Sequence, residues 1–431
     1  MSLALKAYGL TMRLLEPLAP QILRRRAAKG REDPSRIEER LGYATLGRPG
    51  GPLVWIHGAS VGETLSALPL IEQIGRERPG VTVLVTSGTT TSAEILARRL
   101  PPFALHQYVP VDGPAAVTRF LDHWRPDLAV FTESEIWPNL ILETSARGTP
   151  LALVNARISH RSFSRWRRNS GIARPLFNRL ALVLAQNERF ARWFSLLGAR
   201  DVRNFGNIKI DSPPPPVDAA ALERLRAAVA GRALLLAAST HPGEDEIVAV
   251  AHRLLGERHP GLLTIIVPRH PERGQPIADM LAAQGLRAKR RSLSDLPDAT
   301  TDIYIADTIG ELGTFYALSP IAFIGGSLVK HGGQNPIEAV RHGTAVLTGP
   351  HTHNFTDAYN ALLRAKGAEA VSDAATLADA ASRMLTDADA LAGMQRGAES
   401  ALAGMAGALA RTTDALLAMI ARTPEVAVAD R

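Results

Sequence analysis

Short apolar runs alternate with longer stretches of helical spacing along most of this chain. Leu53-Ile56, Val81-Val85, Leu128-Phe131 and Leu151-Val154 read as buried strands in the first half. Leu234-Ala237, Thr264-Val267, Ile303-Ile305, Ile321-Ile324 and Ala345-Leu347 do so in the second. Strands alternating with helices predict a parallel, doubly wound α/β sheet. The pattern stops at four consecutive prolines, Pro213 to Pro216, which can join neither a helix nor a central strand. The expected organisation is therefore a Rossmann-like domain over residues 31–211, a Pro-rich linker at 212–217, and a second Rossmann-like domain over 218–431, the two facing a cleft. From Ala374 onward the Ala-rich sequence reads as helices, the last a candidate to cross back to the first domain.

Residues 1–30 break the alternation. Leu3, Tyr8, Leu10, Leu14, Leu15, Leu18 and Ile22 fall on one helical face, and Arg24, Arg25, Arg26, Lys29 and Arg31 follow at once. Lys6, Arg13 and Glu16 interrupt the run, so it lacks the roughly 20 uncharged residues of a spanning helix. An amphipathic helix lying on anionic lipid is expected, each basic residue near the headgroups contributing about 1 kcal/mol. The alternative is a helix that docks its apolar face on its own domain. There is no continuous apolar stretch of the kind a cleaved signal peptide requires.

The composition narrows the chemistry. The 431 residues, 46% of them hydrophobic, suffice for two cores. With no cysteine there is no disulfide framework, thiolate metal site or cysteine nucleophile. A net charge of +7 favours anionic partners. The basic residues are dispersed, aromatics make up 5%, and no RNP, KH or zinc-finger pattern occurs, so no nucleic-acid partner is expected.

Two strand-to-helix junctions carry candidate chemistry. In Trp55-Ile56-His57-Gly58-Ala59-Ser60-Val61-Gly62-Glu63 a Gly-rich turn delivers a carboxylate to the rim of the sheet. Glu63 is there either as a base or as a complement to the dipole of the helix it opens. Ile321-Ile324 leads to Gly325-Gly326-Ser327 and then Gly332-Gly333-Gln334-Asn335-Pro336-Ile337-Glu338. Here Asn335 suits a cap and Pro336 the first helical position, leaving free N–H groups for a phosphate and Glu338 for ribose hydroxyls. The other reading is a chain reversal with Glu338 as dipole partner. Val267-Arg273 and Asp307-Glu311 also follow strands, the first as a cationic turn. Asp387-Ala388-Asp389, a D-x-D, lies in the helical tail outside any glycine loop, reads as a helix start, and leaves no metal site expected.

Together these motifs resemble the 3-deoxy-D-manno-octulosonic acid (Kdo) transferase family. The resemblance runs through W-I-H-G-A-S-V-G-E at 55–63, T-E-S-E-I-W-P-N-L at 132–140, N-A-R-I-S at 155–159, G-N-I-K-I-D at 206–211 and A-S-T-H-P-G-E at 238–244. It continues through P-R-H-P-E-R at 268–273, D-T-I-G-E at 307–311, G-G-Q-N-P-I-E at 332–338 and G-P-H-T-H-N-F at 349–355. Gly58, Ala59 and Ser134 are mild departures. The resemblance implies a GT-B fold and inverting transfer of Kdo from CMP-Kdo to a lipid A precursor of the lipid IVA type. It implies a location at the cytoplasmic face of the bacterial inner membrane, with no cofactor, and does not indicate an oligomeric state. It makes Glu63 the base and gives Glu133 and Lys209 transition-state stabilisation. It places CMP on Pro268, Arg269, Ile309, Gly310, Glu311, Asn335, Pro336, Ile337 and Glu338. Glu133 can equally be a buried acid paired with Arg157 or another cation, and Lys209 a surface lysine. Ser60, Arg157, Arg161, Arg165 and Arg168 stand on the acceptor side, where arginines interleaved with Phe163 and Trp166 would meet acceptor phosphates. Competing readings are another GT-B nucleotide-sugar transferase or epimerase, and a non-enzymatic membrane protein that binds lipid A precursors.

Overall fold

The computed structural model describes residues 3–420, which form two compact units: one runs to Ser212 and resumes at Ala406, and the other is Pro213–Met405. The first contains β1 (Leu53–His57), β2 (Thr82–Ser87), β3 (Ala104–Tyr108), β4 (Leu128–Thr132), β5 (Leu151–Ala156), β6 (Leu182–Ala185) and β7 (Val202–Asn204). They lie parallel in the order β3-β2-β1-β4-β5-β6-β7. The second contains β8 (Leu234–Thr240), β9 (Leu263–Pro268), β10 (Ala288–Arg290), β11 (Ile303–Ile305), β12 (Ile321–Ile324), β13 (Ala345–Thr348) and β14 (Ala368–Ala370). Their order is β10-β11-β9-β8-β12-β13-β14, again parallel. The central strands β1, β4 and β12 have no exposed residue, because helices cover both faces of each sheet. In the first core Trp55 meets Phe120 and Phe131 at ring centroid distances of 4.8 and 5.1 Å, and its indole N–H donates to Thr86 Oγ1.

At the centre of each sheet the strand order changes direction, between β1 and β4 in the first unit and between β8 and β12 in the second. Doubly wound folds hold their ligands in the crevice beyond the C-terminal ends of such a pair. Gly58 to Glu63 follow β1 and Glu133 to Glu135 follow β4, whereas His241 to Glu244 follow β8 and Gly325 to Gln334 follow β12.

The end of the chain returns to the first unit. Helix Ala408–Ile420 shares a core with helix Val61–Glu77 through Leu416, Ile420, Ile71 and Ile74. The Asp211 carboxylate accepts the N–H groups of Gly407 and Leu409 at 2.8 and 2.7 Å. The second unit accordingly stops at Met405; residues 421–431, which the sequence gives to the C-terminal domain, lie outside the described residues. The proline run packs within the second unit. His342 Nε2 donates to the Pro215 carbonyl at 3.1 Å, and a Cβ on Gly313 would stand 2.5 Å from the carbonyl oxygens of Pro215 and Pro216.

The N-terminal segment is two helices, Leu3–Leu15 and Ala19–Ala27, separated by a short 3₁₀ turn. Part of their apolar surface docks on the first unit: Leu5 and Leu23 are buried, Tyr8 Oη donates to Asp112 Oδ2 at 2.8 Å, and Glu16 accepts the N–H groups of Ala115 and Ala116. Leu3, Leu10, Leu14, Leu15, Leu18 and Ile22 remain exposed. Among the described residues no helix is long and apolar enough to cross a membrane.

Candidate active site

Ser60 ends the turn after β1 and caps helix Val61–Glu77: its hydroxyl accepts the Glu63 N–H, and Glu63 Oε2 accepts the Ser60 N–H at 3.0 Å. The dipole reading of Glu63 is thus realised in the fold, and it leaves the carboxylate's second oxygen, Oε1, with no hydrogen bond among the described residues. Gly58 is needed for this approach, since a Cβ there would lie 3.1 Å from Thr132 Oγ1 and 3.2 Å from Glu63 Cβ. Burial, and then the nearby Glu135 and Glu133 carboxylates, hold Glu63 above the usual carboxylate range despite the Ser60 N–H.

Glu133, the residue after β4, is fully buried and has a left-handed backbone with φ 54°. A non-glycine residue in that region is strained by about 1–3 kcal/mol, and such strain gathers at functional sites. The ladder holds it there: Glu133 N–H donates to the Val154 carbonyl and Arg157 N–H to the Glu133 carbonyl. Its side chain carries two cations, Lys209 Nζ at 2.6 Å on Oε1 and Arg157 Nε at 2.5 Å on Oε2. Lys209 comes from the 3₁₀ turn Ile208–Ile210, capped by Asn207 Oδ1 and tied down by Ile208 N–H donating to Asn155 Oδ1 at 3.2 Å. Asn155 is itself left-handed, with φ 50°.

Two residues that the sequence reading passed over complete this end of the sheet. His57 Nε2 lies 3.4 Å from Glu135 Oε2, and Trp137 Nε1 donates to the same oxygen at 2.6 Å. Burial raises Glu135, but the His57 and Trp137 contacts outweigh it and bring the carboxyl below its ordinary value. Both residues lie inside the quoted motifs, where only a pairing across β1 and β4 would have singled them out.

The acceptor-side set divides. Arg157 is drawn to Glu133, and Ser60 stands at the rim. Arg161, Arg165 and Arg168 are exposed along helix His160–Arg168. The aromatics are not interleaved with them in space, because helical spacing turns Phe163 and Trp166 inward. Phe163 stacks on Trp193 at 4.6 Å, and Trp166 meets Phe177 edge-on.

In the second unit, Pro268 ends β9 and the Arg269 N–H donates to the Thr240 carbonyl. Gly310, with φ 89°, turns the loop that leaves Ile309 87% exposed. Glu311 accepts from Arg291 and from Thr308, and the Arg291 contact foremost holds it below the usual carboxylate range. Helix Leu312–Leu318, which this loop opens, packs beside helix Ile337–Arg341. That second helix has only five residues and starts one position later than the sequence suggests. Pro336 therefore takes the N-cap position expected of Asn335, which stands just outside the helix with Oδ1 accepting the Ile337 N–H and Nδ2 donating to Glu338 Oε1 at 3.1 Å. Burial raises Glu338 against the lowering effects of Asn335 and Arg269. Asp387 Oδ1 accepts the Asp389 and Ala390 N–H groups, so this D-x-D caps a helix. Among the described residues no three His, Asp or Glu side chains are grouped to hold a metal ion.

Comparison with known proteins separates the readings that the geometry leaves open. The model of the 3-Deoxy-D-manno-octulosonic-acid transferase (kdotransferase) family matches residues 35–212. The 3-deoxy-D-manno-octulosonic acid transferase of Rickettsia bellii (strain RML369-C) is 38% identical over 364 residues, 84% of this chain and 87% of that protein. Its counterpart in Haemophilus influenzae is 35% identical over 386 residues, 88% and 90% of the two chains. Among solved structures, a glycosyltransferase from Rickettsia africae ESF-5 covers 87% of this chain and 100% of its own with a TM-score of 0.60 at 13% identity. A UDP-GlcNAc 2-epimerase from Neisseria meningitidis bound to UDP-GlcNAc covers 86% and 100% with a TM-score of 0.57 at 14% identity. At such identities these two likenesses establish the GT-B fold alone.

Proposed function

This chain belongs to the 3-deoxy-D-manno-octulosonic acid transferase family of glycosyltransferases, and from that premise we propose that it moves Kdo from CMP-Kdo to a hydroxyl of a lipid A precursor of the lipid IVA type. The acceptor oxygen attacks the anomeric carbon from the face opposite the phosphate, the carbon–phosphate oxygen bond breaks, CMP leaves, and the hydroxyl proton passes to Glu63. The observation that carries the reading is Glu63 itself, a carboxylate fixed by Ser60 through one oxygen, open at the other, and raised toward neutrality by its surroundings. Glu133 supplies negative charge for the developing oxocarbenium, and Lys209, held on it at 2.6 Å, positive charge for the departing phosphate. CMP rests on Pro268-Arg269, Ile309-Gly310-Glu311 and Asn335-Pro336-Ile337-Glu338. One phosphate can be neutralised by arginine and backbone N–H groups, so the reading needs no metal, and transfer should survive excess chelator.

The exposed leucines of residues 3–22 and the arginines that follow support peripheral association with the cytoplasmic face of the inner membrane, where the acceptor resides. Exposed Arg161, Arg165 and Arg168 suit acceptor phosphates. The test is transfer from enzymatically generated CMP-Kdo to a tetraacylated lipid A precursor in detergent, scored by product mass. Wild type should add Kdo and Glu63→Ala should lose nearly all turnover. No product from a folded, CMP-binding wild type would overturn the reading.

A further inference from the structure

At the switch point of the second sheet, between β8 and β12, stands a group of imidazoles to which the nucleotide assignment gives no task. His241, the residue after β8, is buried, and its ring lies 3.7 Å from that of His331 in the loop after β12 and 6.3 Å from that of His270 after β9. The Gln334 side-chain amide meets His241 Nε2 at 2.9 Å. The backbone is shaped to bring these rings together. Ser239 is left-handed at φ 58°, and a Cβ on Gly325 would stand 2.5 Å from the Ser239 carbonyl oxygen. A Cβ on Gly326 would press on His241 and His331 at 3.2 and 3.5 Å.

The charges around the group are one-sided. Burial, and then His331, His270, Arg273 and Arg269, depress the His241 imidazole to about 4. The nearest anchoring carboxylate, Glu244, is spent on backbone: it accepts the N–H groups of His241, Gly326, Ser327 and Leu328 at 2.6–3.0 Å. Asp245 is spent on Arg273 and Thr240, and Glu272 reaches only the outer His270, at 3.8 Å. Asp245 and Glu272 thus meet Arg273 and His270, but among the described residues no carboxylate side chain is paired with the rings of His241 and His331, and at a place where this fold holds ligands that leaves room for an anion from outside.

We propose that His241, His331 and His270 bind the carboxylate of the donor's sugar and so make the second unit selective for a 2-ulosonic acid rather than an uncharged hexose. A 2-ulosonic acid carries that carboxylate directly on the anomeric carbon, two bonds from the oxygen that leaves with the phosphate. Arg269 belongs to the proposed nucleotide set and is also an electrostatic neighbour of His241, so the two anions of one donor would meet adjoining groups. The inference rests on CMP-Kdo being the donor.

Its test is equilibrium binding of CMP and of freshly made CMP-Kdo to wild type, to His331→Ala, and to His241→Gln, with thermal midpoints as a check on folding. Wild type should bind CMP-Kdo more tightly than CMP, and each variant should lose about tenfold for CMP-Kdo while keeping its CMP affinity within about twofold. If both affinities fall together in variants that remain folded, the group serves the phosphate and the inference is overturned. Unchanged CMP-Kdo binding in exposed His331→Ala and in His241→Gln overturns it as well. A wild type that binds neither compound removes the donor assignment itself, a result distinct from either.

Discussion

Lys209 Nζ donates to Glu133 Oε1 at 2.6 Å across 76 residues of sequence, and the acceptor is a fully buried carboxylate on a left-handed backbone. The two partners are not equal in exposure: the Lys209 side chain is 29% accessible and that of Glu133 is not accessible at all. Removing the lysine leaves the buried charge with Arg157 alone and Oε1 without its partner, out of reach of water, whereas removing the acid frees cations that can turn to water. Lys209→Ala should therefore cost more stability than Glu133→Gln, on the order of 1–3 kcal/mol by urea titration. Both should lower kcat by roughly a hundredfold or more, if they stabilise charge in the transition state. Equal stability losses would show that Glu133 is rehydrated in the lysine variant.

Glu63 must be ionised to accept a proton, and burial with the Glu135 and Glu133 charges keeps it protonated to higher pH than an ordinary glutamate. The rate should consequently fall as pH drops, with the acid limb of kcat/KM lying above the normal glutamate range. Glu135→Gln removes a neighbouring negative charge, which lowers the Glu63 pKa and moves that limb to lower pH. A limb that stays in place in Glu135→Gln, or survives in Glu63→Gln, would assign it to another group.

How much of this was legible in the sequence depended on burial. β1, β4 and β12 are apolar at every position because both faces are covered, and their runs announce them. β7, β10 and β14 are edge strands of three residues, Val-Arg-Asn, Ala-Lys-Arg and Ala-Glu-Ala, and nothing in them marks a strand except the neighbour they pair with. β3 has half-buried Leu105 and His106 for the same reason. Glu63 stood out through its glycine turn, but the Glu133, Lys209 and Arg157 cluster was reachable only through family resemblance, since β4, β5 and the turn after β7 bring it together. His57 and Glu135 went unnoticed because a pairing between adjacent strand ends has no spacing signature.

The exposed leucines of the N-terminal helices yield a separate expectation. Leu5, Tyr8, Glu16 and Leu23 anchor these helices, so the opposite face can be altered without unfolding them. Leu10→Glu, Leu14→Glu and Ile22→Glu together should leave the thermal midpoint unchanged and lower co-sedimentation with anionic vesicles at least tenfold, given about 0.8 kcal/mol per buried CH₂. Retained binding would move the membrane contact elsewhere.

Gly58 and Gly62 lie four residues apart in the same motif and should respond in opposite ways to alanine. At Gly58 the added methyl would enter space held by Thr132 Oγ1 and Glu63 Cβ at 3.1 and 3.2 Å. Thr132 is fixed there, because its hydroxyl donates to the His57 carbonyl at 3.0 Å. The turn must then open, moving Glu63 by a few tenths of an ångström relative to Glu133. At Gly62 no atom lies within 4 Å of the added Cβ, and the residue sits in the first turn of helix Val61–Glu77. Gly62→Ala should raise stability by about 0.5–1 kcal/mol through the lower entropy of the unfolded chain, with little change in rate. Gly58→Ala should lower kcat about tenfold or more and cost about 1–3 kcal/mol of stability. Equal behaviour of the two variants in urea titration and transfer kinetics would mean that the close approach of this turn to β4 does not govern the position of Glu63.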